Sequence, residues 1–214
     1  MSEDFRLLSE YVLSQINLTR KLLKSESEAE AEAYKEIEDN EHVIDGLDVK
    51  IKEEVINAIL LFTPRAGDLR KIIAYYDMTI YLERIGDLIL NVARFTKKMD
   101  LKLPGFETFE KLTGNMLKYA EKMVRNAVIS FSCENNSMAY ETISTDDKVD
   151  SLFKEITTTL PEAFKERALS DRELKNIMAF NSISYNIERI ADNATNVAEC
   201  AIYLTEGKDI RHTY

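Results

Sequence analysis

Apolar residues recur along this chain at steps of three and four. From Leu69 the series Leu69, Ile72, Ile73, Tyr76, Ile80 traces one helical stripe, and the same period runs almost everywhere. It predicts six helices, at roughly residues 3–25, 27–62, 64–98, 106–132, 137–166 and 171–206. Local chemistry marks several of the ends. Thr63 before Pro64 predicts an N-cap and a first-turn proline, whose missing N–H costs nothing there. Ser170 with Glu173 spells a capping box, and Gly207 stands where a left-handed C-terminal residue is wanted. Pro104-Gly105 is the expected domain boundary, inside the polar connection from Met99 to Gly105. Pro161 is expected to kink or shorten the fifth helix.

The pattern repeats. Glu83-Arg84-Ile85-Gly86-Asp87 returns 105 positions later as Glu188-Arg189-Ile190-Ala191-Asp192, and Asn91-Val92-Ala93 returns as Asn196-Val197-Ala198 in the same register. Upstream, Glu41 and Asp45 correspond to Asp146 and Asp150, and Asp68-Leu69-Arg70 to Glu173-Leu174-Lys175. A constant register requires equal helix and turn lengths in the two halves. The expected architecture is therefore all-α: two tandem antiparallel three-helix bundles related by internal duplication, over residues 1–103 and 106–214.

The best-preserved positions of the repeat are carboxylates. Glu83 and Asp87 are four apart and share a helix face, which continues the apolar stripe. Residues level with each other across an antiparallel hairpin have a constant index sum. Asp45 with Glu83 and Glu41 with Asp87 both sum to 128, centred on the turn at residue 64. Asp150 with Glu188 and Asp146 with Asp192 both sum to 338, centred beside Ser170. In each half, four carboxylates are thus expected at one level on helices roughly 8–10 Å apart.

Two such charges 4 Å apart repel by about 4 kcal/mol at an effective dielectric near 20. Two ways of neutralising them are open at this point. Arg84 and Arg189 could make ordinary ion pairs, or the all-oxygen clusters could hold hard cations such as Fe³⁺, Mn²⁺, Mg²⁺ or Ca²⁺, or zinc. Gly86 and Ala191 read as small residues that let a neighbouring helix approach. Asn91 and Asn196 read as structural hydrogen-bonders, and Asp68 as an acid favoured by the helix dipole.

Charge and composition narrow the function classes. Lys and Arg number 28 against 38 Asp and Glu, a net charge of −10, which opposes general binding to nucleic acid. Cys133 and Cys200 form no Cys-x-x-Cys motif or disulfide framework. No apolar run reaches the roughly 20 residues of a membrane span, and the acidic start lacks signal-peptide regions. A cytoplasmic location is expected. Di-metal carboxylate enzymes and iron stores take Glu-x-x-His ligands. Here the only histidines, His42 and His212, follow Asp39 and Asp209, so that class is the alternative rather than the first choice, with a metal-free helical scaffold as a third.

Taken together, Pro64-Arg65-Ala66-Gly67-Asp68-Leu69-Arg70, the two acid motifs at 83–87 and 188–192, and the ending Tyr203-Leu204-Thr205-Glu206-Gly207-Lys208-Asp209-Ile210-Arg211-His212 resemble the PhoU family of phosphate-uptake regulators. The resemblance covers both repeats. It implies multinuclear metal clusters, iron first and zinc or another divalent cation otherwise, held by Glu41, Asp45, Glu83 and Asp87 and by Asp146, Asp150, Glu188 and Asp192. It further implies no enzymatic activity, and negative regulation of phosphate uptake and the phosphate-starvation response. The expected partners are a phosphate ABC transporter ATPase and a sensor histidine kinase, met at the membrane through those proteins alone. A homo-oligomer, in the first place a homodimer, is expected.

Overall fold

Six α-helices follow one another, with no strand among the described residues: α1 (Ser2–Leu22), α2 (Glu28–Phe62), α3 (Gly67–Thr96), α4 (Glu107–Ser132), α5 (Asn136–Phe164) and α6 (Asp171–Glu206). The structure is a computed structural model that describes residues 2–23, 28–166 and 168–207. Predicted helix residues 24, 25 and 27 and the tail carrying Asp209 and His212 lie outside them.

The duplication is written into the packing. α1 begins at residue 2 and α4 at residue 107, the 105-residue register of the sequence. Core positions keep that register: Val12 and Leu117, Ile51 and Ile156, Leu82 and Ile187, and Val92 and Val197 are all fully or almost fully buried. Each such side chain contributes about 1.5–3 kcal/mol by leaving water. The helices of each half pack on one another, and α3 also lies along α6, so the two halves meet over a long helix–helix face. Core side chains from both halves join in one large cluster, and Leu18, Leu22, Ala33, Ile37, Leu90 and Ala93 form a smaller one within the first half. An aromatic trio crosses the junction: Phe5 of α1 and Tyr75 of α3 pack at 5.2 and 4.9 Å from the Phe131 ring of α4. Arg20 of α1 adds an ion pair to Glu121 of α4 at 3.0 Å.

Most helix ends follow the sequence signals. The N–H of Glu173 donates to Ser170 Oγ at 3.3 Å while the N–H of Ser170 donates to Glu173 Oε2 at 2.8 Å, completing the capping box. Gly207 closes α6 at φ 70°, its N–H donating to the Tyr203 carbonyl at 3.0 Å. α5 passes through Pro161 and stops three residues later at Phe164, short of the predicted 166.

The start of α3 differs from expectation. Thr63 has φ 42°, outside the extended conformation an N-cap needs, and α3 begins at Gly67 instead of Pro64. The cap position falls to Ala66, at φ 44° and ψ −110°, with no side-chain hydrogen bond. Its carbonyl nevertheless accepts from the Arg70 N–H at 3.0 Å, opening the helical ladder. The signal misled because Thr63 is consumed by the end of α2, its N–H donating to the Ile59 carbonyl at 3.2 Å.

Candidate metal centres

The hairpin of α2 and α3 sets the first centre. Between them Ile44 inserts against Gly86, the small residue flanked by Glu83 and Asp87. A Cβ at position 86 would stand 3.2 Å from Ile44 Cδ1 and 3.3 Å from its Cγ2. The small residue therefore does permit close helix approach, which brings the α2 acids level with the α3 acids. Glu41 and Glu83 are half-buried at the seam, with Asp45 and Asp87 on its solvent side. Burial is the largest influence raising the Glu41 carboxyl, followed by the charges of Asp45 and Asp87. Glu83 is raised by burial first, then by Asp87, Asp48 and Asp45, with Lys52 opposing. Glu41 and Glu83 thus each feel an acid of the other helix, as the index sum of 128 predicts.

The second centre, between α5 and α6, has the same plan. Asp146 and Glu188 are half-buried, and Asp150 and Asp192 lie at the solvent edge. Burial pushes Asp146 up to about 7, with Asp150, Asp192, Glu188 and Asp147 adding to the rise. Glu188 is raised by burial, then by Asp192 and Asp150. Asp192 is raised by burial and then by Asp150, and Asp150 by burial and then by Asp147. All eight carboxylates singled out in the sequence are therefore gathered into two groups of four.

Neutralisation by arginine is largely absent. Among the described residues, no ion pair joins Arg84 or Arg189 to these eight carboxylates. Arg189 acts on Glu188 and Asp192 at Coulombic range while its guanidinium lies 5.7 Å from the Tyr185 ring centroid. Asp146 Oδ1 is buried without a hydrogen-bond partner. A buried acceptor left so, in a ring of like charges, is the environment a hard cation satisfies. The donor set is one a hard cation takes, and among the described residues three ligand atoms approach within 4.8 Å of one another at Glu41, His42 and Asp45 alone, with no such threesome in the second half.

Three neighbours escaped the sequence reading. Asp48 is 8% exposed, with Oδ2 accepting from Lys52 Nζ at 2.8 Å and Oδ1 buried without a partner. It sits three residues beyond Asp45, so helical spacing could have found it. The repeat hid it, because the corresponding residue in the second half is Phe153. Asp147 adds charge beside Asp146. His42 Nδ1 lies 3.5 Å from Glu41 Oε2, and ligand atoms of Glu41, His42 and Asp45 all fall within 4.8 Å of one another. Asn91 accepts from Arg94 at 3.5 Å. Arg70, in the first turn of α3, lies 5.7 Å from the Tyr203 ring centroid and so ties that turn to the end of α6.

Comparison with known proteins gives a consistent result. The PhoU domain model matches residues 5–96 and again residues 113–201. A protein of Aquifex aeolicus, called a phosphate-specific transport system accessory protein PhoU homolog, is 32% identical over 209 residues, spanning 96% of this chain and 92% of its own. One of the same description from Pseudomonas aeruginosa is 33% identical over 186 residues, spanning 85% and 72%. The crystal structure of PhoU from Pseudomonas aeruginosa superposes with a TM-score of 0.87 at 25% identity, over 97% of this chain and 96% of that one. The phosphate transport system regulatory protein PhoU from Streptococcus pneumoniae has the same fold, with a TM-score of 0.84 at 20% identity over 97% and 94%.

Proposed function

The chain belongs to the PhoU family, and from that premise we propose that it is a metal-binding negative regulator of phosphate uptake that works by protein contact. Proteins of this family are named accessory and regulatory proteins of phosphate transport, not enzymes, and a role in phosphate transport regulation is the one the chain shares with them.

The observation that carries the metal reading is the pair of fourfold carboxylate groups, above all the buried and unpartnered Oδ1 of Asp146. Glu41, Asp45, Glu83 and Asp87 would hold one cation group, and Asp146, Asp150, Glu188 and Asp192 the other. Oxygen donors of this number suit iron or another hard cation, with His42 beside the first group as a borderline ligand. A bound metal would supply the countercharge these acids lack and fix α2 on α3 and α5 on α6.

Contact surfaces support the regulatory reading. Leu60, Leu61 and Phe62 at the end of α2 are 71%, 75% and 76% exposed. Leu69 and Ile73 beside them are also exposed, as are their register equivalents Leu174 and Met178. Exposed apolar groups of this size are features of surfaces that meet other proteins. No helix among the described residues is long and apolar enough to cross a membrane. In this reading the chain reaches the membrane from the cytoplasm through a phosphate ABC transporter ATPase and a sensor histidine kinase, as a homodimer. Elemental analysis of protein purified without chelator tests the metal. Deleting the gene tests the regulation: phosphate-starvation genes should rise at ample phosphate, and unchanged expression removes the regulator reading.

A further inference from the structure

A cleft of about 1100 Å³ opens between the end of α1, the α3–α4 connection and the first half of α4. None of these segments carries any of the eight carboxylates of the candidate metal centres. Its charge is opposite to that of the chain. The protein carries −10 overall, yet among the described residues Arg20, Lys102, Lys111 and Lys118 line this cleft with one carboxylate, Glu110, and Glu121 pairs with Arg20. Clefts lined by one sign of charge focus the field and concentrate the opposite ion. Arg20 is held on the wall by Glu121 Oε2 at 3.0 Å and Asn17 Oδ1 at 3.1 Å. Lys111 and Lys118 lie two turns apart on one face of α4, both exposed.

Between those lysines stands Gly114. It is inside a long helix, where glycine is disfavoured relative to alanine. Neither packing nor backbone explains it: a Cβ there would meet nothing within 4 Å, and its φ is not positive. What the glycine does is leave an opening on α4 between two cations. Apolar surface from Leu23 and Leu101 completes the lining. At about 1100 Å³ the open cleft is slightly larger than most small-molecule sites, and its place on an acidic chain suits a short polyanion rather than a long nucleic acid.

We propose that this cleft binds a polyphosphate chain, free or carried by a nucleotide, between Lys102, Lys111 and Lys118, with the opening at Gly114 admitting the chain against α4. The inference does not depend on the metal centres and is tested with chelator present. Full-length protein in EDTA at low salt would be titrated calorimetrically with ATP, with inorganic tripolyphosphate and with adenosine. At least one of the two polyphosphates should bind with a Kd below about 1 mM, and adenosine should not. Tighter binding of ATP assigns the ligand to the nucleotides; equal or tighter tripolyphosphate assigns it to the inorganic chain. The K111E/K118E double variant should lose at least about tenfold in affinity with its melting temperature and helicity unchanged. Should that variant fold poorly, K111Q/K118Q, with neutral side chains at the same exposed positions, must still weaken binding. Gly114→Leu, which fills the opening, should weaken it too. Failure of both polyphosphates to bind, binding of adenosine alone, or wild-type affinity in a folded lysine variant would overturn the proposal.

Discussion

Gly86 and Ile44 fit together as a socket and its plug, and at the register-equivalent positions each residue differs by one carbon. Where the first half pairs glycine with isoleucine, the second pairs Ala191 with Val149, all four residues being buried. One carbon has moved from the α2-type helix to the α3-type helix, and Val149 and Ala191 both lie in the main core. Gly86→Ala places a methyl 3.2 Å from Ile44 Cδ1, tighter than ordinary contact, so crowding should offset the gain in helix propensity, about 1 kcal/mol. Adding Ile44→Val makes room. The double variant should be more stable than the sum of the singles by roughly 0.5–2 kcal/mol, measured as a denaturant double-mutant cycle. Additive effects would show that the seam is not filled in this complementary way.

The two turn signals allow a paired comparison. Ser170 satisfies Glu173 N–H, so Ser170→Ala should cost about 1 kcal/mol in urea unfolding. Thr63 caps nothing and sits at φ 42°, so Thr63→Gly should stabilise by about 1 kcal/mol. Read from sequence alone, both residues look like caps, and only the backbone conformation separates them.

That contrast shows what was legible in the sequence. Helix number, the 105-residue register and the meeting of Glu41 with Asp87 follow from periodicity and counting, because antiparallel helices joined by a short turn have little freedom in their level. The shared core did not follow. Nothing in the spacing of Phe5, Tyr75 and Phe131 announces that they meet, since contacts between halves are set by tertiary packing. Asp48 was obscured by the very repeat that revealed the other acids. The strained turn at Thr63 and Ala66 was missed because composition does not specify the sign of φ when neither residue is glycine.

The exposed tip of α2 gives a functional test that spares the fold. Phe62 is 76% exposed, so Phe62→Ser should change stability by no more than about 0.5 kcal/mol. If the regulator acts through this surface, the same variant should derepress phosphate-starvation genes at ample phosphate. Full repression by the variant, at normal abundance, would exclude the tip as the contact.

Removing one carboxylate from either centre has opposite consequences with and without metal. In chelator, Asp87→Asn leaves three like charges where there were four and should raise the melting temperature slightly. With metal present it removes a ligand, and the stabilisation linked to binding should fall. Asp192→Asn should behave alike in the second half. Melting curves of both variants, with metal and with chelator, separate the cases, and a wild type indifferent to chelator would leave an acidic scaffold.

The sharpest pH signature belongs to Asp146. Its carboxyl is held at about 7 in the folded chain, chiefly by burial and then by Asp150, Asp192 and Glu188, against an ordinary value of 3.8. The folded state therefore keeps a proton that the unfolded state releases. The stability this proton confers is complete below about pH 4 and is lost as pH rises towards 7. At a half-buried position screened by solvent the loss is on the order of 1–2 kcal/mol. Glu188 and Asp192 are raised as well and push in the same direction. Urea unfolding in chelator should accordingly weaken between pH 4 and 7, and Asp146→Asn, which carries no ionisable proton there, should flatten much of that slope. Metal reverses the sign. Ligand oxygens bind a cation only after losing their protons, so metal-loaded protein should gain stability over the same interval. Opposite slopes with and without metal, both reduced by Asp146→Asn, would place the titrating group and the ligand at one residue; parallel slopes would separate them.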